Sequence, residues 1–118
     1  MHSINQNNIT IIKGDSIILE LEITKDYDIV DLTGYTAFLT VKSTVADPDS
    51  EAIFSKPIYN HPNQDLENGI IHFKLLPSDT SVLQNKKYFY DISVTSPAGD
   101  KFTLRRGDLY VLSDILND

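Results

Sequence analysis

Between Leu75 and Val94 the chain reads LLPSDTSVLQNKKYFYDISV, and this stretch constrains the fold most. Pro77 fixes its own φ, and the short polar side chains of Ser78, Asp79 and Thr80 bond back to nearby backbone, so the chain turns here. From Lys87 the pattern alternates. Tyr88, Tyr90, Ile92 and Val94 take one face; Lys87, Phe89, Asp91 and Ser93 take the other. A period of two with aromatic and β-branched residues is a strand. A tyrosine just past such a turn marks a tyrosine corner, whose hydroxyl bonds to upstream backbone and fixes how the strand begins. Tyr88 stands where that residue belongs, the alternative being an ordinary core tyrosine.

The same rule finds six more strands. Residues 8–13 (NITIIK) are short and stop at a Lys13-Gly14-Asp15 turn. Over 16–24, Ile17, Leu19, Leu21 and Ile23 alternate with Glu20 and Glu22, while Ile18 breaks the pattern and predicts some cover on the outer face. Residues 25–31 (KDYDIVD) form a charged loop, and Leu32-Thr33-Gly34 turns into a strand over 35–43. There Phe38 opposes Leu39, so both faces carry a large group, as in a strand near the middle of a sheet. After the turn Asp47-Pro48-Asp49-Ser50, the strand 52–59 contains Pro57, which cannot donate to a ladder and predicts an edge. Residues 60–68 are a polar loop. Gly69 opens a strand over 70–76, with Ile71, Phe73 and Leu75 on one face and His72 and Lys74 on the other. A hairpin turn at 96–100 leads into a long strand over 101–112, in which Gly107 predicts a bulge. Only residues 79–84 allow a helical turn. The pattern is that of an all-β, antiparallel β-sandwich of about seven strands. Residues 1–7 are expected to be a flexible leader and 8–118 a single domain.

A chain of 118 residues with 41% hydrophobic content can bury roughly two thirds of its unfolded surface in one core. It contains no cysteine, which excludes disulfides and thiolate metal sites. Ten basic against 17 acidic residues give a net charge of −7, which opposes attraction to nucleic-acid phosphates and anionic membranes. The first residues lack the apolar core of a signal peptide, and no run approaches the roughly 18 apolar residues of a membrane span. The expectation is a soluble protein, not exported by the general secretory route, with neither nucleic acid nor membrane as partner.

Candidate chemistry is sparse. His2, His61 and His72 have no metal-ligand spacing and no neighbouring nucleophile with an orienting acid. His61 and His72 could approach one another, and are read as solvated side chains rather than as a shared metal site. Asp26, Asp28 and Asp31, and Asp47, Asp49 and Glu51, have spacings that a hard cation could use, but neither loop has the glycine and distal glutamate of an EF-hand. They are read as solvated turn acids. No phosphate loop, dinucleotide fingerprint or zinc signature is present. The chain is therefore not expected to be an enzyme, and no catalytic, cofactor-binding or metal residues are assigned. Arg105-Arg106-Gly107 is the one basic cluster, and adjacent arginines on a strand face opposite ways. Phe38 and Phe89 fall on faces opposite their core neighbours, which points to a covered face or a partner contact, or else to burial. Phe38, Phe89, Arg105 and Arg106 are the protein-contact candidates.

Three segments together resemble a known family: DLTGYTAFLTVKS (31–43), GIIHFKLLPSDTSVL (69–83) and YFYDISVTSPAGDKFTLRRGDLYVLSDI (88–115). They are similar to an immunoglobulin-like structural domain of tailed bacteriophages, that of the N-terminal domain of baseplate upper proteins and of small tail- or virion-associated proteins. The matching positions are Leu32, Thr33 and Gly34; Gly69 with Ile71, Phe73 and Leu75; Tyr88, Tyr90 and Asp91; and Thr103, Leu104, Gly107, Leu109 and Val111. The resemblance implies an immunoglobulin-like sandwich and a non-enzymatic virion component of tail, baseplate, neck or head. Such a protein would be made in the host cytoplasm and assembled against other phage structural proteins and copies of itself. Baseplate upper proteins continue into further domains, so a stand-alone accessory or decoration subunit is expected. The alternative is a carbohydrate-binding adsorption module using Tyr27, Tyr59 and the 60–68 loop.

Overall fold

Period-two alternation decides which face of each strand is buried. In the computed structural model, which describes residues 2–5, 8–25, 27–44 and 52–113, the described residues form ten strands. These are β1 (His2–Asn5), β2 (Asn8–Ile12), β3 (Ile17–Glu22), β4 (Thr24–Lys25), β5 (Asp28–Ile29), β6 (Thr36–Lys42), β7 (Phe54–Pro57), β8 (Ile70–Leu75), β9 (Lys87–Thr95) and β10 (Lys101–Leu112). The fold is all-β. Seven of these strands are the expected ones; β1, β4 and β5 are additional.

One sheet has the order β1-β2-β10-β9-β6-β7, and β3 pairs with β8 in a second. β4 and β5 form a small hairpin in the segment expected to be a loop. Every pairing is antiparallel except that of β2 with β10, which run parallel from Leu109 opposite Ile9 to Leu112 opposite Ile12. Within the expected leader, β1 pairs antiparallel with β2. β7, with Pro57, is an edge of the larger sheet, where the missing N–H costs no ladder bond.

The inward residues of both sheets meet in one core. Ile17, Leu19 and Leu21 of β3 and Ile71, Phe73 and Leu75 of β8 pack with Tyr88, Tyr90, Ile92 and Val94 of β9, Ala37, Leu39 and Val41 of β6, and Leu109 and Val111 of β10. Past β7 the chain crosses to the second sheet, and the Tyr59 amide donates to the His72 carbonyl at 2.8 Å. Between β8 and β9 comes a single helical turn, α1 (Pro77–Thr80).

Two further expectations need correction. The bulge lies between Thr103 and Arg105, not at Gly107, which sits in register opposite Tyr90 without a positive φ. The extra residue, Leu104, is partly buried against the core, and apolar packing rather than glycine freedom sets the bulge. His72 is 1% exposed rather than solvated, because the segment after β7 folds over the outer face of β8.

Candidate assembly surface

In a sheet, residues in register share a face. Phe38 lies opposite Ser93, which lies opposite Thr103; Phe89 lies opposite Lys42 and Asp108; Arg106 lies opposite Asp91. Ser93 and Asp91 alternate with the buried Ile92 and Val94, so all of these residues face outward. The larger sheet thus carries Phe38 on β6, Phe89 on β9 and Arg106 on β10 across three adjacent strands of one outer face. Arg105 lies opposite Ile92 and belongs to the inward side, so the two arginines part as strand geometry requires.

Phe38 is 44% exposed and Phe89 is half-buried, with the Lys87 ammonium 5.1 Å from the Phe89 ring centre. Lys42 and Asp91 approach at 3.9 Å beside them. Thr40 and Ser55 share a hydrogen bond of 3.0 Å, and Thr40 and Ser93 are nearly buried although they face outward. The outcome is a mixed face: two aromatic groups set among small hydroxyls and paired charges. Behind it, burial raises the Tyr90 phenol above its ordinary value; nearby Arg105 lowers it and Asp108 raises it.

The smaller sheet bears a polar cluster around His61 and His72, the two imidazoles expected to be solvated. His72 Nε2 bonds Glu20 Oε1 and Nδ1 bonds Gln64 Oε1, each at 2.8 Å. His61 stacks on His72 with ring centres 4.3 Å apart, and its Nδ1 accepts the Asn63 amide. Tyr59 tilts against His61 and lies under the Lys74 ammonium. The two imidazoles stack rather than converge on a point, and among the described residues no three His, Cys, Asp or Glu side chains are grouped to hold a metal ion. The aromatic Tyr59 and His61 in a polar loop were the available signal that this loop covers a sheet.

Of the acidic loops, Asp28 and Asp31 are both exposed. Hydrogen bonds from the Thr33 side chain and then its amide hold Asp31 below the ordinary aspartate value, against a small opposing desolvation. Asp26, Asp47, Asp49 and Glu51 lie outside the described residues, as does the His2 side chain. Among the described residues no helix is long and apolar enough to cross a membrane.

No curated protein matches the chain. Among solved structures it is similar to the N-terminal domain of phage TP901-1 ORF48, with a TM-score of 0.64 at 15% identity over 92% of this chain and 90% of that one. That likeness is one of fold. The family model described as the BppU N-terminal domain matches residues 1–100. With most of its length accounted for by that model, the chain belongs to the BppU N-terminal domain family, a domain family of phage baseplate upper proteins.

Proposed function

We propose that this protein is a non-enzymatic structural component of a phage tail or baseplate that works through protein–protein contacts. The observation that carries the reading is the outer face of the larger sheet in a member of a baseplate family: Phe38, Phe89 and Arg106 share that face on the adjacent strands β6, β9 and β10. Large apolar groups ringed by paired polar ones have the composition of an interface that is exposed before assembly and covered after it. The partners are other phage structural proteins and further copies of this chain, with no role for nucleic acid or membrane. Its place is the virion, after synthesis in the host cytoplasm.

The test is mass spectrometry of purified particles, combined with complementation by a Phe38→Ser/Phe89→Ser double variant. The protein is expected in intact particles, and the double variant, folded as judged by circular dichroism, is expected to be depleted from them. Absence of the wild-type protein from particles, or full incorporation of the variant, defeats the reading.

A carbohydrate-binding adsorption role is the second reading, favoured by Tyr27, which stands fully exposed at the tip of the β4–β5 hairpin. Against it, Tyr59 is half-buried, with the Lys74 ammonium over its ring and His61 tilted against it. A glycan array decides it: no retained sugar removes this reading.

A further inference from the structure

The smaller sheet pairs only β3 with β8, and its two edges differ. Along β8 the outer edge is closed. The His72 carbonyl accepts the Tyr59 amide at 2.8 Å, and Ile70 exchanges two bonds with Asp65, at 2.8 and 3.1 Å. These bonds fix the phase of the ladder: Ile70 and His72 turn their backbone groups away from β3. In an antiparallel pair the residues opposite them, Glu22 and Glu20, therefore turn theirs away from β8. The Ile23 amide, one residue on, donates to the Gly69 carbonyl at 2.8 Å, as that phase requires. Ile18, opposite Lys74, shares the phase of Glu20. The amides and carbonyls of Ile18, Glu20 and Glu22 thus point along the far edge of β3, and among the described residues no backbone group bonds them.

The larger sheet blunts both of its edges with strands of four residues, and β7 adds Pro57. β3 has neither device. It runs six residues in unbroken register with β8 and contains no proline, glycine or lysine. Such an edge is a template for a further strand. The outward row of β3, Ile18, Glu20 and Glu22, sets what that strand must carry, and all three are exposed. Glu20 is bonded to His72, whereas Glu22 faces Ile70 across the ladder and has no cation among the described residues. Pairing the β3 edges of two copies would gather four carboxylates on one face, which like-charge repulsion opposes.

We infer that the free edge of β3 receives an extended segment of another protein, added as a third strand of the smaller sheet with basic side chains outward beside Glu20 and Glu22. Its main chain takes up the backbone groups of Ile18, Glu20 and Glu22, and its cations meet the two carboxylates. The inference goes beyond the assembly reading, which concerns the outer face of the other sheet. Changing Phe38 and Phe89 leaves this edge intact, and blocking the edge leaves that face intact, so either can fail alone.

The probe is a synthetic peptide of about eight residues that alternates lysine with valine, set against one with glutamate in place of lysine. Amide hydrogen exchange reads the edge. With saturating lysine peptide, exchange at Ile18, Glu20 and Glu22 is expected to slow at least about tenfold, while Leu19 and Leu21, already bonded to β8, serve as references. Ile18→Pro removes an edge donor but no ladder bond, and is expected to weaken the peptide at least about tenfold with an unchanged circular dichroism spectrum. Glu22→Lys leaves the backbone untouched; it is expected to weaken the lysine peptide about fivefold and to strengthen the glutamate peptide. Unchanged exchange at the three amides, equal binding of both peptides by the wild type, or undiminished binding of the lysine peptide by Glu22→Lys or by folded Ile18→Pro overturns the inference. Slowing of the same amides with protein concentration alone assigns the edge to a second copy and overturns it too.

Discussion

The Gln84 amide donates to the hydroxyl oxygen of Tyr88 over 2.7 Å, four residues along the chain. The ring is 3% exposed and sits at the start of β9, with the Lys86 ammonium 4.8 Å from its centre. This one bond ties the loop after α1 to the first inward residue of β9, and it is the tyrosine corner that the sequence predicts. Tyr88→Phe keeps the packing and removes the acceptor. It is expected to cost about 1 kcal/mol, read as a lower urea midpoint at unchanged slope.

Gly69 ends the short 3-10 turn Leu66–Asn68 with φ of +74°. A Cβ there would lie 2.7 Å from the Ile23 carbonyl oxygen and 2.8 Å from that of Val30. Both neighbours are backbone, and the Ile23 amide is itself bonded to the Gly69 carbonyl, so neither moves without breaking the joint between β3 and β8. Gly14 has a φ of +88° but open space around it. Gly14→Ala is expected to cost about 1 kcal/mol, the left-handed penalty alone, and Gly69→Ala at least about 2 kcal/mol more. Paired thermal and urea unfolding of the two variants measures the difference; equal losses would mean that the crowding at Gly69 is relieved.

What the sequence made legible follows from where the deciding interaction is local. Alternation in a single strand sets its inward face, so Ile17, Leu19 and Leu21, or Tyr88, Tyr90, Ile92 and Val94, can be sorted without knowing any partner. Phe38 and Phe89 could be placed outward for the same reason, and the divergence of Arg105 and Arg106 needs only the strand. His72 could not be placed, because its burial depends on a distant segment, 59–64, folding back over β8. The parallel pairing of β2 with β10 was hidden likewise, since it joins residues about a hundred positions apart. A groove lined by Val30 and Leu32 on one side and Phe102 and Leu104 on the other is also a product of tertiary arrangement, since these residues are about seventy positions apart.

Thr80 is fully buried in α1 and holds the turn between β2 and β3. Its hydroxyl donates to the Asp15 carbonyl at 3.1 Å and accepts the Gly14 amide at 3.0 Å. Thr80→Val preserves shape and leaves both backbone groups without that partner, at an expected cost of about 2 kcal/mol. Thr80→Ser retains the hydroxyl and loses one methyl, at about 1 kcal/mol. Hydrogen exchange separates the two: the Gly14 amide should lose protection in the valine variant and keep it in the serine variant.

Asp79 links α1 to the edge strand β7. Its Oδ2 accepts the Leu76 amide at 2.8 Å and pairs with the Lys56 ammonium at 2.9 Å. Burial alone pushes this carboxyl up, but the Leu76 amide and Lys56 together outweigh it and hold the group below the ordinary aspartate value of 3.8. A depressed folded-state value means that the unfolded chain takes up the proton first as pH falls. The stability that Asp79 contributes is therefore fully present above pH 3.8 and is lost as pH drops through the lower folded value. Asp79→Asn keeps an oxygen for the Leu76 amide but has no charge to titrate. The wild type is expected to be the more stable of the two at neutral pH, with the gap narrowing only below about pH 4. Urea unfolding of both proteins at a series of pH values gives that difference directly, with the other carboxylates, Asp31 included, cancelling between them. A gap that stayed constant down to the acid transition would mean that the Leu76 amide and Lys56 together do no more than offset the desolvation of the Asp79 carboxylate.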